Sequence, residues 1–456
     1  MELRSYQKED MEKLKTKKAM GCFNEQRTGK TPTSLVTLDT EGHKKILIVT
    51  VASAIFQWRD EFERWTGRPC IVVNGTKSQR EKQIESWTDG LVISYDSLKE
   101  ITPKIKRTGE ETKGREGHID QILNAKPNAV IIDEAHKIKN PKSAVAKSIF
   151  KLSKIERKLA LTGTPAPNKP YEIFSILHFL YPNIFKSYWT FIGDYFKTRR
   201  AQAAGHTFID ILGFKPGMEL KLQTQLSFIS TNRKRKEVMQ WLPEKDYEQI
   251  KLEPTKEQVK YLKELDKYFE TENIIVQGVL DRLIRERQIC LAPELIGLKG
   301  KSPKLEWIKQ YIKDYPEKPI IIFTKFTSFI KLLEKELPSE TFYSIIGSTN
   351  VKQRNEYKLA FQNGERNVLI IQIDVGKEAL TLDRAEAIVF CDKYPPASDI
   401  AQAEDRFIAT TQEKASKPHT IIELMMKGTY DEHLYELVRQ RKTDTDVIND
   451  YKNYIN

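Results

Sequence analysis

The chain has few cysteines, and none of them is arranged for a disulfide framework or a metal site. Among its 456 residues there are four cysteines, each isolated, with no CxxC pair and no histidine at ligand spacing. This pattern argues against a structural zinc module and indicates a reducing compartment. The four are Cys22, Cys70, Cys290 and Cys391.

Long apolar runs and a signal-like start are also missing. The longest apolar runs, such as ILIVTV and PIIIF, have the length of buried strands, and the start MELRSYQKEDM is charged. Neither secretion nor membrane insertion is therefore expected, and we predict a cytoplasmic protein without a membrane partner.

Acidic residues are outnumbered by basic ones. The chain carries 75 Lys and Arg against 63 Asp and Glu, which gives a net charge of +12. This balance suits a polyanionic partner such as nucleic acid, although solubility alone would also account for it. The length exceeds what one hydrophobic core usually serves, so two principal domains are expected.

Two short motifs in a fixed order point to a nucleotide. Residues 24–31 read NEQRTGKT after a short apolar run, and residues 133–136 read DEAH after the apolar run AVIID. A strand, a loop ending in Gly-Lys-Thr and a helix direct backbone N–H groups and a helix N-terminus at phosphate oxygens. The pair predicts an NTPase of the helicase type, since chance would seldom give both in this order.

The chemistry assigns a role to each member of these motifs. Lys30 is predicted to reach the β- and γ-phosphates, and Thr31 and Asp133 to hold Mg²⁺. Glu134 is predicted to orient the attacking water. The loop residues expected to bind ATP are Asn24, Glu25, Gln26, Arg27, Thr28, Gly29, Lys30 and Thr31. Asn24 replaces the usual first glycine, and its tolerance of left-handed backbone angles would let the loop form.

Short β-branched runs alternate with helical patterns in both halves of the chain. Runs at 46–51, 70–73, 91–95, 129–133 and 158–163 precede a second set at 319–324, 342–346, 367–372, 387–392 and 419–424. Such alternation predicts an α/β fold with parallel sheets covered on both faces. Residues 99–116 are predicted to form an exposed insertion, 183–230 a helical protrusion and 256–289 a long helical region.

Read in order, the motifs resemble the SNF2 family of superfamily 2 helicase-like ATPases over nearly the whole chain. The segments are LRSYQ, LIVTVASAIFQWRDEFERW, DEAHKIKNPKS, LTGTPAPNKPYEIFSILHFLYP, RERQICLAPELIG and GSTNVKQRNEYKLAFQNG. The resemblance implies two RecA-like lobes with parallel sheets and helical insertions. It places lobe 1 at 1–230, a linker with a helical protrusion at 231–300 and lobe 2 at 301–456.

The resemblance also implies further site residues. Arg4 and Gln7 correspond to the adenine-recognising motif, and His136 joins the ATP site. Arg406, from QAEDRFIATTQ, corresponds to an arginine that stabilises charge on the transferred phosphoryl group, whereas Ile408 and Ala409 replace the family's histidine and second arginine. The stretch QIDVGKEALTL keeps little of the family's motif V.

We further expect DNA as the partner of a monomeric enzyme that uses ATP and Mg²⁺. Contacts in such enzymes go chiefly to phosphates. The candidates, by motif position and by the basic segment TNRKRKEV, are Ser53, Gln57, Tyr95, Thr162, Gly163, Arg233, Arg235, Thr349 and Arg354. With no chromatin reader or long tail in the chain, a compact bacterial or phage enzyme acting on duplex, forked or branched DNA is expected.

Two other functions remain open at the level of sequence. One is an RNA helicase or an RNA polymerase recycling ATPase of the same superfamily. The other is a nucleotide-gated DNA clamp with little hydrolysis, suggested by Ala409 and the altered motif V. Nucleic-acid stimulation of phosphate release would separate them.

Overall fold

The computed structural model divides the chain into two compact units, Met1–Gln240 and Trp241–Asn456. It describes residues 2–100, 117–167, 169–203, 206–241, 245–268, 270–271, 274–275, 278–376, 382–394, 397–404, 419–440, 447, 450–451 and 453–454. Most of the predicted insertion at 99–116 lies outside these residues. The predicted divisions at 230 and 300 remain predictions.

Unit 1 is built on a parallel sheet whose strands match the β-branched runs of the sequence. Its order is β3-β4-β2-β5-β6-β1-β9. The strands are β1 Ala19–Cys22, β2 Ile46–Thr50, β3 Cys70–Val72, β4 Gly90–Ser94, β5 Ala129–Ile132, β6 Arg157–Leu161 and β9 Ser230–Thr231, with β7 Phe196–Ala203 and β8 His206–Phe214 forming a separate antiparallel pair.

Helices connect these strands, as parallel pairing requires. One of them, Ile55–Thr66, buries Ile55, Trp58 and Phe62, the apolar face expected from their spacing. The helices of unit 1 are α1 Ser5–Lys15, α2 Lys30–Thr40, α3 Ile55–Thr66, α4 Lys77–Glu85, α5 Tyr95–Leu98, α6 Ile119–Asn124, α7 Ala144–Lys151, α8 Phe174–Leu180, α9 Tyr188–Tyr195, α10 Met218–Ile229 and α11 Arg235–Val238.

Unit 2 carries a second parallel sheet, in the order β10-β17-β16-β13-β15-β14. Ile321 and Phe323 enter one apolar cluster and Ile320 and Ile322 another, so both faces of this sheet are covered. The strands are β10 Lys245–Leu252, β13 Ile320–Thr324, β14 Phe342–Ile345, β15 Val368–Gln372, β16 Ala387–Phe390 and β17 His419–Met426, besides the short pair β11 Glu270–Thr271 and β12 Ile274–Ile275.

The helices of unit 2 lie between these strands and at its C-terminal end. They are α12 Lys256–Tyr268, α13 Val279–Leu291, α14 Pro303–Asp314, α15 Thr327–Glu336, α16 Val351–Asn363, α17 Ile373–Gly376, α18 Ala397–Glu404 and α19 Tyr430–Arg439. No helix in the part of the chain that the structure describes is both long and apolar enough to cross a membrane.

Two expectations about helical segments are wrong. The stretch 183–230 contains the hairpin of β7 and β8 between helices, because Thr207, Phe208, Ile209 and Ile211 favour extended backbone when they can pair across a hairpin. The region 256–289 is not continuously helical either. It is divided into α12 and α13 by the short strands β11 and β12.

Candidate nucleotide-binding site

The NEQRTGKT loop connects β1 to α2, as predicted. Gly29 precedes the helix with φ +80°, a left-handed conformation, and a Cβ there would lie 2.0 Å from Gln7 Nε2. The position therefore requires glycine. Lys30 begins the helix, and its ammonium donates hydrogen bonds to the carbonyl oxygens of Asn24 (3.0 Å) and Glu25 (3.1 Å). The amino group is thus held inside the loop, with Thr31 next to it in the first turn.

Asn24 contributes its side chain rather than a left-handed backbone, contrary to expectation. The non-glycine residues of positive φ in the described chain include Arg27 at 66°, but not Asn24. The buried amide Nδ2 of Asn24 donates to Asp10 Oδ2 at 2.7 Å, and its Oδ1 accepts from the backbone N–H of Arg233 at 3.0 Å. A side-chain network supports the loop at the position where the family pattern has glycine.

Gln7 lies against the same loop from α1. Its Oε1 accepts from the backbone N–H of Arg4 at 2.8 Å, and its Nε2 donates to the carbonyl of Thr28 at 3.2 Å. Tyr6 donates to the same carbonyl at 3.1 Å. Gln7 therefore connects the N-terminal helix to the nucleotide loop. Recognition of adenine by Arg4 and Gln7 stays a prediction.

Asp133 follows the carboxyl end of β5 and accepts hydrogen bonds from two side chains that sequence reasoning missed. Its Oδ2 accepts from Thr50 Oγ1 at 3.0 Å and from the indole N–H of Trp58 at 2.8 Å. Burial, and next the charge of Glu134, raise the pKa of Asp133 to about 6 against the lowering effects of these bonds and of Lys30. The QW pair in the segment LIVTVASAIFQWRDEFERW was the available signal for Trp58.

Glu134 and His136 connect the DEAH motif to the Thr-Gly-Thr segment. Glu134 has φ +47°, a strained conformation for a side chain of this size. His136 Nδ1 lies 3.3 Å from Glu134 Oε2 and 3.1 Å from Thr162 Oγ1. A Cβ on Gly163 would lie 3.2 Å from the side chain of Gln26, so this segment also packs against the nucleotide loop.

The candidate DNA-binding residues have different environments. Gln57 is exposed, Ser53 has a buried hydroxyl without a hydrogen bond, and Thr162 is buried. The buried Tyr95 hydroxyl donates to the carbonyl of Asp133 at 2.6 Å, and burial holds its pKa well above the usual value. All their DNA contacts stay predictions.

The basic candidates make bonds within their own unit. Arg233 pairs with Asp10 (2.9 Å) and Glu9 (2.8 Å), and the backbone N–H of Arg235 donates to Glu25 at 2.8 Å. In unit 2, Arg354 donates to the carbonyls of Thr349 and Gly347, each at 2.8 Å, and Thr349 Oγ1 accepts from the backbone of Ile346. Arg406 lies outside the described residues, beyond the end of α18.

Comparison with known proteins gives the family. The SNF2-related domain profile matches residues 4–295, and the helicase conserved C-terminal domain profile matches residues 303–408. These matches confirm the resemblance seen in the motifs, together with the predicted fold of two RecA-like lobes.

Curated relatives match most of this chain but are longer. The SWI/SNF-related matrix-associated actin-dependent regulator of chromatin subfamily A-like protein 1 of Xenopus tropicalis is 25% identical over 87% of this chain and 39% of its own length. The probable ATP-dependent DNA helicase CHR23 of Arabidopsis thaliana is 25% identical over 96% of this chain and 42% of its own length. The chain thus spans about two fifths of these relatives.

A solved structure also matches. It is described as the Sulfolobus solfataricus SWI2/SNF2 ATPase core in complex with dsDNA, and it is 20% identical, with a TM-score of 0.43, over 96% of this chain and 91% of that one. Since the first profile alone covers more than half of the residues, the chain belongs to the SNF2-related family.

Proposed function

We propose that this protein hydrolyses ATP and uses the cycle to move along duplex or branched DNA. The observation that carries the proposal is the convergence of Lys30, Asp133 and the Glu134–His136–Thr162 contacts around one loop at the carboxyl edge of the first sheet. Ligands of parallel α/β sheets bind at this edge. Family membership and a relative named as an ATP-dependent DNA helicase support the same assignment.

The donor set fits a nucleoside triphosphate with magnesium. Gly29 brings the backbone close, the first turn of α2 offers N–H groups, and Lys30 supplies a charge-assisted donor. Thr31 and Asp133 would hold Mg²⁺. Mg²⁺ is commonly held by one or two protein groups together with phosphate oxygens and water.

Within this site each side chain has one task. Lys30 would bind phosphate, Asp133 would hold the cation, and Glu134, whose carboxylate lies 3.3 Å from His136 Nδ1, would position water. Mg²⁺ bound there would neutralise part of the negative charge on the phosphates. Arg406, which lies outside the described residues, stays the predicted stabiliser of the same charge. We therefore expect Arg406→Ala to lower kcat much more than ATP affinity, because its charge acts mainly in the transition state.

The deciding experiment measures phosphate release with duplex DNA, a fork, a four-way junction, single-stranded DNA and RNA. We expect duplex or branched DNA to stimulate turnover, and Lys30→Ala or Glu134→Gln to reduce kcat by at least about a hundredfold, the scale typical of lost electrostatic or positioning groups. Lys18→Ala and Glu156→Gln are matched controls, since these side chains form an exposed pair, each with 72% of its surface accessible.

Each of the two alternative functions predicts a different outcome in this assay. Stimulation by RNA alone would replace the proposal with the RNA helicase or RNA polymerase recycling function. Equal background release by wild type, Lys30→Ala and Glu134→Gln, with nucleotide-dependent DNA binding retained, would favour the clamp.

A further inference from the structure

The chain leaves the first sheet along the nucleotide loop. We call residues Thr231–Arg235 the exit segment. Strand β9 pairs in parallel with β1, with Cys22 opposite Thr231, and the ladder continues beyond both strands. The N–H of Phe23 donates to the carbonyl of Thr231 at 2.9 Å, and the N–H of Glu25 donates to the carbonyl of Arg233 at 2.9 Å.

Side-chain hydrogen bonds reinforce the backbone pairing between the exit segment and the nucleotide loop. Arg233 Nε donates to Asp10 Oδ1 at 2.9 Å, and the other oxygen of Asp10 accepts from Asn24 Nδ2 at 2.7 Å. Asn24 Oδ1 in turn accepts from the Arg233 backbone at 3.0 Å. Asp10 and Asn24 are each 1% exposed, so water competes little for these bonds. The network fixes Asn24 to the exit segment.

Lys30 contacts the same two loop residues through their carbonyl oxygens. Its ammonium donates to the carbonyls of Asn24 and Glu25, while the exit segment bonds to the Asn24 side chain, the Glu25 N–H and the Glu25 carboxylate. A phosphate oxygen is a stronger acceptor for an ammonium than a neutral carbonyl is. Phosphate bound to Lys30 would therefore compete with these carbonyl contacts and change the two residues that hold the exit segment.

We propose that the exit segment responds to the nucleotide, with Asn24 and Glu25 as the positioning residues that connect it to Lys30. The proposal rests on the proposed binding of ATP at this loop. The segment continues in sequence to Gln240, where the first unit ends. A change at Lys30 would therefore reach the part of the chain that leads out of this unit through Asn24 and Glu25. Because coupling is reciprocal, loosening the segment must also alter nucleotide affinity.

Hydrogen–deuterium exchange on the full chain tests this directly. We compare peptides covering α2 and the exit segment with and without magnesium and a non-hydrolysable ATP analogue. In wild type the analogue should slow exchange in α2 and change the exchange rate of the exit segment by at least about threefold. In Arg233→Ala the α2 response should persist, the exit-segment response should disappear, and affinity should change by about fivefold or more.

Arg199→Ala serves as the matched control, since it removes an arginine from an exposed ion pair with Asp210 in the same unit. It should behave as wild type. Glu25→Ala provides a second variant, which removes the acceptor for the Arg235 N–H, and its exit-segment response should also be reduced. It keeps the test decisive if Arg233→Ala fails to fold.

The outcomes separate this inference from the proposed function. If the analogue slows exchange in α2 but leaves the exit segment unchanged in wild type, the inference is wrong and the nucleotide site stands. If α2 itself does not respond at any analogue concentration, the proposed ATP site fails first. A response of the exit segment that survives in both variants would also contradict the inference.

Discussion

At the scale of single residues, Asp133 combines a proposed role in Mg²⁺ binding with a cost to the stability of the fold. Burial and the neighbouring Glu134 raise its pKa to about 6, above its value in an unfolded chain. The folded state therefore binds more protons than the unfolded state between about pH 4 and 6, and the free energy of unfolding falls as pH rises through this window. The ionised form that Mg²⁺ needs is the form that the fold disfavours.

Asp133→Asn should therefore separate activity from stability. We expect the variant to lose Mg²⁺-dependent nucleotide hydrolysis while its melting temperature at pH 7.5 is equal to or above that of wild type. In wild type, Mg²⁺-dependent nucleotide affinity should weaken as pH falls from 8 towards 6, because protonated Asp133 is a poor ligand. Thermal denaturation and titration calorimetry give both quantities. Asp60→Asn, at a carboxylate paired with Arg59 on α3, is the control, and a clear loss of stability in Asp133→Asn would contradict the prediction.

The candidate residues themselves could be predicted from the sequence, but their partners could not. Lys30 and Asp133 belong to the motifs NEQRTGKT and DEAH, and the order of these motifs in the sequence indicates a nucleotide site. Thr50 contacts Asp133 and Asp10 contacts Asn24 only once the chain is folded, and no local pattern marks either residue. Trp58 belongs to the QW pair of a family-like segment, but its hydrogen bond to Asp133 is likewise visible only in the structure. The role of Asn24 could not be predicted from sequence either. Its residue type suggested a left-handed backbone conformation, whereas in the structure its side chain makes hydrogen bonds to Asp10 and Arg233.

At the scale of elements, the buried strands were predictable and the hairpin was not. Strands such as β2 and β13 lie in sheets covered on both faces, so they appear as continuous β-branched runs. The hairpin of β7 and β8 exposes Phe208, Ile209 and Leu212, each by about half. Its pattern mixes apolar and basic residues and resembles neither a core strand nor an amphipathic helix. Pairing across the hairpin decides its structure.

In unit 2 a buried ion pair holds three elements together, and it allows a stability prediction. Lys304 of α14 donates to the carbonyl of Cys391 after β16 and to Asp431 of α19, both at 2.7 Å. The side chains of Lys304 and Asp431 are 0% and 2% exposed. Lys304→Met leaves the Asp431 charge buried and unpaired, so we expect a loss of about 3 kcal/mol in the free energy of unfolding.

Calorimetry should report this loss as a melting temperature of unit 2 lowered by about 6 to 12 °C. Adding Asp431→Asn removes the unpaired charge but keeps an acceptor for the Met426 N–H, and it should recover part of the loss. Lys335→Met breaks an exposed pair with Glu294 and should cost about 0.5 kcal/mol or less. Equal effects of the buried and exposed substitutions would contradict the assigned role of the buried pair.

At the scale of the whole molecule, net charge and family membership both suit the proposed nucleic-acid partner. The chain carries +12, and the SNF2-related profile covers residues 4–295. Charge alone is compatible with any polyanion, and the motifs alone do not distinguish DNA from RNA. The two together favour contacts with a phosphate backbone, whose strength depends on released counterions rather than on base sequence.

The dependence of nucleic-acid binding on salt concentration distinguishes it from ATP hydrolysis at the nucleotide site. If the protein contacts six or more phosphates, the DNA concentration needed for half-maximal stimulation of ATP hydrolysis should rise by about a thousandfold between 50 and 200 mM salt. Hydrolysis without DNA should change by less than about twofold, because Lys30 and Asp133 act at short range around a partly buried loop, where salt screens charges less. Titrating phosphate release with duplexes of different sequence at several salt concentrations measures both. If the half-maximal DNA concentration does not change with salt but differs between base sequences, contacts to the bases and not to the phosphate backbone determine binding.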